Sequence, residues 1–420
     1  MQKSVCGIWA GVWLWLACSA GALAQPLDLF ASDDPIARAE QELALRPHAQ
    51  DEVWRQLSSR GLPLQSADPD SPDRVLATFL FQAEHDVTGV RLDSVLNAVE
   101  VSGRVEDYVR DFALPMSRIA QSDIWMRTVS VPSDAQAVYS FIVEREDGAR
   151  RRSDPAGQRK LRGSAAEAVF IGPGARIDPA IRPVPFLLRP EPVAFSLDSE
   201  ALGRTVFLQR VTLPGAGENA PVLVIWDSFL WGVRAPAWEI AQQLAQAGRI
   251  PPLHIVLIDQ LDPRSADHEY ADQVRFLIDE LKPRLVVDGM SGRFVLAGAS
   301  RRGLAGVIAG LQAPQAVESV ISLSGSFYWA PEGEAPEWLA RHVPAADTLA
   351  PRILLAVGTL ETVETSTNQG HVMMATNEAM AAALDEAGYS VTLHRYAGGH
   401  DIAGWRGALA AGLEAVLSGS

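Results

Sequence analysis

Apolar positions along this 420-residue chain change period several times, and each change predicts a different kind of structure. Residues 5–16 are almost continuously apolar behind Lys3, and Ala22, Leu23 and Ala24 give a small-x-small site before Gln25. That is the form of a removable export signal over residues 1–24. The run is short for a spanning helix, which needs about 20 residues. Residues 33–61 carry helical spacing at Ile36, Leu43, Leu45, Val53, Trp54 and Leu57, with Asp33 or Asp34 as a cap ahead of Pro35. This predicts an N-terminal helical segment within residues 25–72.

From residue 74 to 144 the pattern becomes short β-like runs at 75–80, 125–131 and 138–143, broken by turn residues such as Ser133 and Asp134. A small β-sandwich is the reading, with its linker filling residues 73–190. Residues 147–190, rich in Arg, Gly and Pro, read as crossover and linker. There Arg152, Arg159 and Arg162 form a solvated loop cluster, or alternatively an anion contact.

Beyond Phe195, apolar runs at 222–226, 255–258, 294–297, 320–323, 353–357 and 391–393 alternate with helical stretches at 238–247, 271–281, 304–311 and 375–387. Continuous apolar strands between helices predict an α/β domain over 191–420, its mostly parallel sheet buried on both faces.

Charge narrows the partners. The chain carries 36 Lys and Arg against 51 Asp and Glu, a formal −15, which repels phosphate backbones and anionic lipid. Nucleic acid and stable membrane insertion after signal cleavage are not expected. Both cysteines, Cys6 and Cys18, lie inside the export signal. Cleavage therefore leaves no thiol, which suits an oxidising compartment such as a periplasm and excludes cysteine nucleophiles and thiolate metal sites. Lipid anchoring at Cys18 is the alternative to free release. No His, Asp and Glu cluster has ligand spacing, so no resident metal or cofactor is expected.

Residues 294–314, FVLAGASRRGLAGVIAGLQAP, carry the most chemistry. An apolar strand runs into Gly298, Ala299 and Ser300, then a helix with Leu304, Val307, Ile308 and Leu311 at i, i+3, i+4 and i+7. A strand, sharp turn and helix place Ser300 at a nucleophile elbow, although Arg302 stands where G-x-S-x-G has its second glycine. His400, in Gly398-Gly399-His400-Asp401 after the last strand, is positioned as general base. The acid follows the strand at 353–357: Glu361 fits best, Glu364 is the alternate and Asp401 ranks third. The order Ser, acid, His is that of α/β-hydrolases. Oxyanion donors are expected from the amide of Arg301 and from that of Ser228 or Phe229, after the strand at 222–226.

These residues resemble the enterochelin (enterobactin) esterase family over roughly residues 75–418. In the first half the likeness rests on Met116, Arg118, Ile119, Asp123 and Trp125, and on Tyr139, Phe141 and Ile142. In the second it rests on Pro251 and Pro252 through Ile258 and Asp259, Gly298 to Ser300 with Gly303 and Leu304, and Leu323 to Ser326. Gly398 to Asp401 with Trp405, Arg406 and Gly407 is the most specific part. The resemblance implies an immunoglobulin-like N-terminal sandwich joined to an α/β-hydrolase domain that opens the trilactone of ferric catecholate siderophores. It implies Ser300 as nucleophile, His400 as general base and Glu361 in an orienting position. The sequence departs from the family at Arg301 and Arg302 in the elbow, and at Asp227 and Ser228, where the family has Asp-Gly. The family's two-domain form is also typically cytoplasmic.

A ferric tris-catecholate is an anion, so Arg302 and Arg406 beside Ser300, with Arg301, are the candidate cations for it. Trp231, Trp329 and Trp405 are candidates to stack on its rings. Iron would arrive with the substrate. The leading expectation is an exported siderophore esterase. The alternatives are an esterase for another bulky cyclic ester or cell-envelope acyl ester, and a non-catalytic siderophore-binding protein on the same scaffold.

Overall fold

The computed structural model describes residues 27–101, 112–157, 159, 161, 167–259, 270–365 and 370–418. The expected export signal and Arg162 lie outside the described residues. Two helices come first, α1 (Pro35–Leu45) and α2 (Gln50–Ser59). Asp34 caps α1 by accepting the amides of Ile36 and Ala37, with Pro35 in the first turn.

Among the described residues nine strands follow: β1 (Leu64–Ala67), β2 (Arg74–Gln82), β3 (Gly89–Ser94), β4 (Ala113–Pro115), β5 (Ser117–Arg118), β6 (Ile124–Pro132), β7 (Gln136–Arg145), β8 (Gly148–Arg152) and β9 (Ala168–Ile171). They form two antiparallel sheets, one ordered β1-β2-β6-β5, the other β4-β3-β7-β8 with β9 also paired to β7. Alternation sends Ala77, Phe79, Val129 and Val131 of the first sheet and Leu92, Tyr139 and Phe141 of the second into one shared core. Leu80 and Ile124 point the other way, onto Leu43 and Leu57 of the helices. The expected linker is therefore partly strand. β8 is exposed along its whole length, so its arginines gave no apolar pattern, and β9 is only four residues long.

The second half holds β10 (Val193–Ser199), β11 (Arg204–Thr212), β12 (Val222–Trp226), β13 (His254–Ile258), β14 (Phe294–Ala299), β15 (Val317–Leu323), β16 (Arg352–Gly358) and β17 (Val391–Tyr396). Its helices include α3 (Ala237–Gln246), α4 (Tyr270–Arg275), α5 (Lys282–Val287), α6 (Arg301–Gln312), α7 (Trp338–Arg341), α8 (Met373–Glu386) and α9 (Ile402–Leu417). One eight-stranded sheet runs β10-β11-β13-β12-β14-β15-β16-β17. β10 and β11 are antiparallel additions at one edge; every pairing from β13 to β17 is parallel. Among the described residues antiparallel pairings outnumber parallel ones, so the fold is mixed α/β. Successive residues of each central strand feed opposite faces. Leu223, Ile255, Val295, Ile321 and Leu354 pack with α3 and α9; Val224, Val256, Leu296, Val320 and Ile353 pack with α6 and α8. Burial on both faces explains the unbroken apolar runs.

Candidate active site

Strands β14 to β17 end at the same edge of the sheet, and each delivers one polar residue there: Ser300, Ser324, Glu361 and His400 respectively. Ser300 stands between β14 and α6 at φ 57°, ψ −123°, a conformation that costs a non-glycine residue about 1–3 kcal/mol. Its amide donates to Leu323, 2.8 Å away, and its carbonyl accepts the amides of Leu304 and Ser326, both at 3.2 Å. Its hydroxyl lies 3.2 Å from Ser326 Oγ. Asp227 and Ser324 also have positive φ, so backbone strain gathers at this edge.

Two glycines make the elbow possible. A Cβ on Gly298 would lie 2.6 Å from Arg302 Cβ and 2.7 Å from the Arg302 carbonyl carbon, and one on Gly303 would lie 2.4 Å from Ser322 Oγ. Close approach is thus supplied at Gly298 and Gly303. Arg302 occupies the place of the missing glycine with the turn intact.

Glu361 is buried, 5% exposed, and a buried carboxylate needs donors around it. Oε2 lies 2.7 Å from His400 Nδ1. Oε1 accepts the Ser324 hydroxyl at 2.6 Å and the Gly358 amide at 2.8 Å, with the Tyr396 hydroxyl 3.3 Å away. Ser324 Oγ in turn accepts the Trp405 indole N–H at 2.9 Å. The Trp405 ring meets the His400 ring edge-on, centroids 4.9 Å apart. A carboxylate only accepts, so Nδ1 carries the ring proton and a neutral His400 keeps its Nε2 lone pair. Ser300, the buried Glu361 and His400 follow one another in the chain and stand along one sheet edge, in the order serine, acid, histidine.

The Esterase family model matches residues 199–416, more than half of the chain. The chain belongs to the esterase family. The protein is an ester hydrolase, and its curated relatives within the family extend the likeness into the N-terminal half. It is 26% identical to the iron(III) enterobactin esterase of Dickeya dadantii, over 89% of this chain and 94% of that protein. It is 25% identical to the iron(III) salmochelin esterase of Escherichia coli O6:H1, over 86% and 92%. The fold matches the enterobactin esterase of Shigella flexneri solved in the presence of enterobactin, with a TM-score of 0.69 and 22% identity, over 86% of this chain and 97% of that one.

The other expected residues of this esterase divide. Glu364 is exposed and Glu361 holds the histidine. Asp401 faces away from His400: its carboxylate caps α9. Arg301 heads α6, so its amide starts the helix beside Ser300. Ser228 and Phe229 open a helical turn in which Asp227 accepts the amides of Leu230 and Trp231, leaving their own amides at its start.

Trp405 borders the site, but Trp231 does not. It is wholly buried in the core between the sheet and α3, so it has no face for a substrate. An aromatic just past a strand end reads the same in sequence whether it faces ligand or core. Arg302 is largely enclosed, 3.4 Å from Gln273 Oε1, and burial lowers its guanidinium pKa. Arg406 lines a small cavity with Arg182 and Arg234, a lining that does not include Ser300. Trp329 packs edge-on against Tyr270 and Trp338. Sequence reasoning missed Ser324 and Tyr396 as supports of the acid. The Leu323–Ser326 motif was the available signal.

Proposed function

We propose that this esterase hydrolyses the ester bonds of a ferric catecholate siderophore of the enterobactin type, with Ser300 as nucleophile, His400 as general base and Glu361 as orienting acid. The observation that carries it is the Glu361–His400 pair on the edge where Ser300 is held in a strained turn. As Ser300 Oγ attacks the ester carbonyl carbon, its proton passes to His400 Nε2. The amides of Arg301 and of Ser228 or Phe229 face the developing oxyanion. The intermediate collapses, the leaving alkoxide takes the proton from His400, and an acyl-enzyme remains. His400 then deprotonates water, which attacks the acyl carbon; the proton returns to Ser300 Oγ, and the freed acid ionises into solution.

The sequence supports a leader over residues 1–24 that delivers the chain to a periplasm. It also supports a division into a helical segment to residue 72, an immunoglobulin-like unit with its linker to 190, and the hydrolase from 191. A cleft of about 260 Å³ beside His400 joins apolar Val95, Phe112 and Trp405 to charged Asp93, Arg151, Glu167 and Arg234, and its apolar part offers a surface to an aryl group of the substrate. The placements of Trp231 and Arg406 favour keeping a second reading, an esterase for another bulky cyclic ester.

Incubation with ferric enterobactin, metal-free enterobactin and p-nitrophenyl esters, followed by mass spectrometry, tests the choice. Linear trimer, dimer and monomer are expected from the trilactone. Cleavage of the simple esters alone would favour the second reading. Ser300→Ala should lower kcat by roughly 10³-fold or more with an unchanged Tm, and wild-type turnover in that variant would overturn the mechanism.

A further inference from the structure

The loops that carry His400 and Glu361 are pressed against the N-terminal sheets. Val138, in β7, donates its amide to Asp401 Oδ2 at 2.9 Å, and the neighbouring Gln136 amide donates to the Ala397 carbonyl at 2.9 Å. The other oxygen of Asp401 accepts the amides of Ala403 and Gly404 at the start of α9. One carboxylate thus joins a strand of the first half to the helix that follows the catalytic histidine. The two glycines before His400 have a reason in the same contact. A Cβ on Gly398 would lie 2.8 Å from the Gln136 carbonyl oxygen, and one on Gly399 would lie 2.7 Å from Val95 Cβ. On the acid side, Leu360 belongs to the core of the N-terminal sheets, and its amide donates to the Gly398 carbonyl at 2.9 Å.

We propose that Asp401 is a positioning residue for the hydrolysis. It clamps the His400 loop to β7, so the N-terminal sheets form part of the catalytic apparatus. This rests on the serine–histidine reading above. Reaching Val138 and the start of α9 at once takes both carboxylate oxygens of Asp401. Serine at this position would still cap α9 but is too short to reach Val138. Asp401→Ser therefore removes the carboxylate tie to Val138, leaves the Gln136–Ala397 bond in place and keeps the helix capped.

The experiment uses the full chain and measures Tm, kcat and KM on p-nitrophenyl butyrate, and the rate at which a fluorophosphonate labels Ser300. Asp401→Ser is expected to lose roughly 10²-fold in kcat with KM within threefold of wild type, and to be labelled more slowly to the same degree. Should that variant fold poorly, Gly399→Ala decides. It is expected to lower kcat by pushing the loop off Val95, and Val95→Gly in the same chain should restore it. Wild-type labelling with an unslowed Asp401→Ser overturns the clamp alone, as does a Gly399→Ala loss that Val95→Gly does not repair. Absence of labelling in the wild type overturns the serine–histidine reading, and the clamp with it.

Discussion

Glu361 divides its two oxygens between the scaffold and the histidine. Oε1 meets the Ser324 hydroxyl and the Gly358 amide, which fixes the rotation of the carboxylate and aims Oε2 at His400 Nδ1. Glu361→Gln keeps the shape and breaks this division. The Gly358 amide demands an acceptor at Oε1, so the new NH₂ group turns to His400 and forces the ring proton onto Nε2. That is the tautomer unable to take a proton from Ser300. We expect kcat to fall by about 10³- to 10⁴-fold with Tm within a few degrees of wild type. Steady-state kinetics and a melting curve check it; a loss under tenfold would mean that Glu361 is a structural partner only.

At the scale of the element, the β14–α6 elbow depends on which glycines are present more than on their number. Gly298→Ala would drive a methyl into the Arg302 backbone, which cannot swing aside as a flexible side chain would. Both Tm and kcat are expected to fall, whereas Arg302→Gly should leave the turn in place and cost about 1 kcal/mol of helix stability. Thermal melts and labelling of Ser300 would separate the two. The central strands and this elbow were legible in the sequence because burial on both faces leaves unbroken apolar runs, and because a tight turn needs small residues. Glu361 was legible from its place after β16. Ser324, Tyr396 and the Val138–Asp401 tie were not, since a hydroxyl or a backbone amide has no sequence period and its partner lies far along the chain. β8 was hidden for a related reason, since an exposed strand has no apolar face to alternate, and β9 because four buried residues are too few to show a period.

Across the whole molecule, the seam between the two halves should respond to pH through Asp401. Burial pushes its carboxyl up to about 6, against the amides of Val138, Ala403 and Gly404 and the charge of Arg406, which all favour the ionised form. The unfolded chain releases this proton near the ordinary value of 3.8, so between about 4 and 6 the folded protein holds a proton that the unfolded chain has lost. Stability from this group is therefore fully present below about 4, declines as pH rises to about 6, and is level above that. The change is on the order of 3 kcal/mol. Asp401→Ser does not titrate, so the difference in Tm between wild type and this variant isolates the effect. It should shift against the wild type between pH 4 and 6 and stay constant from pH 7 to 8. A difference that is flat across the whole range would mean that the Asp401 carboxylate is solvated, and that water instead of the fold's two halves surrounds the seam at the histidine.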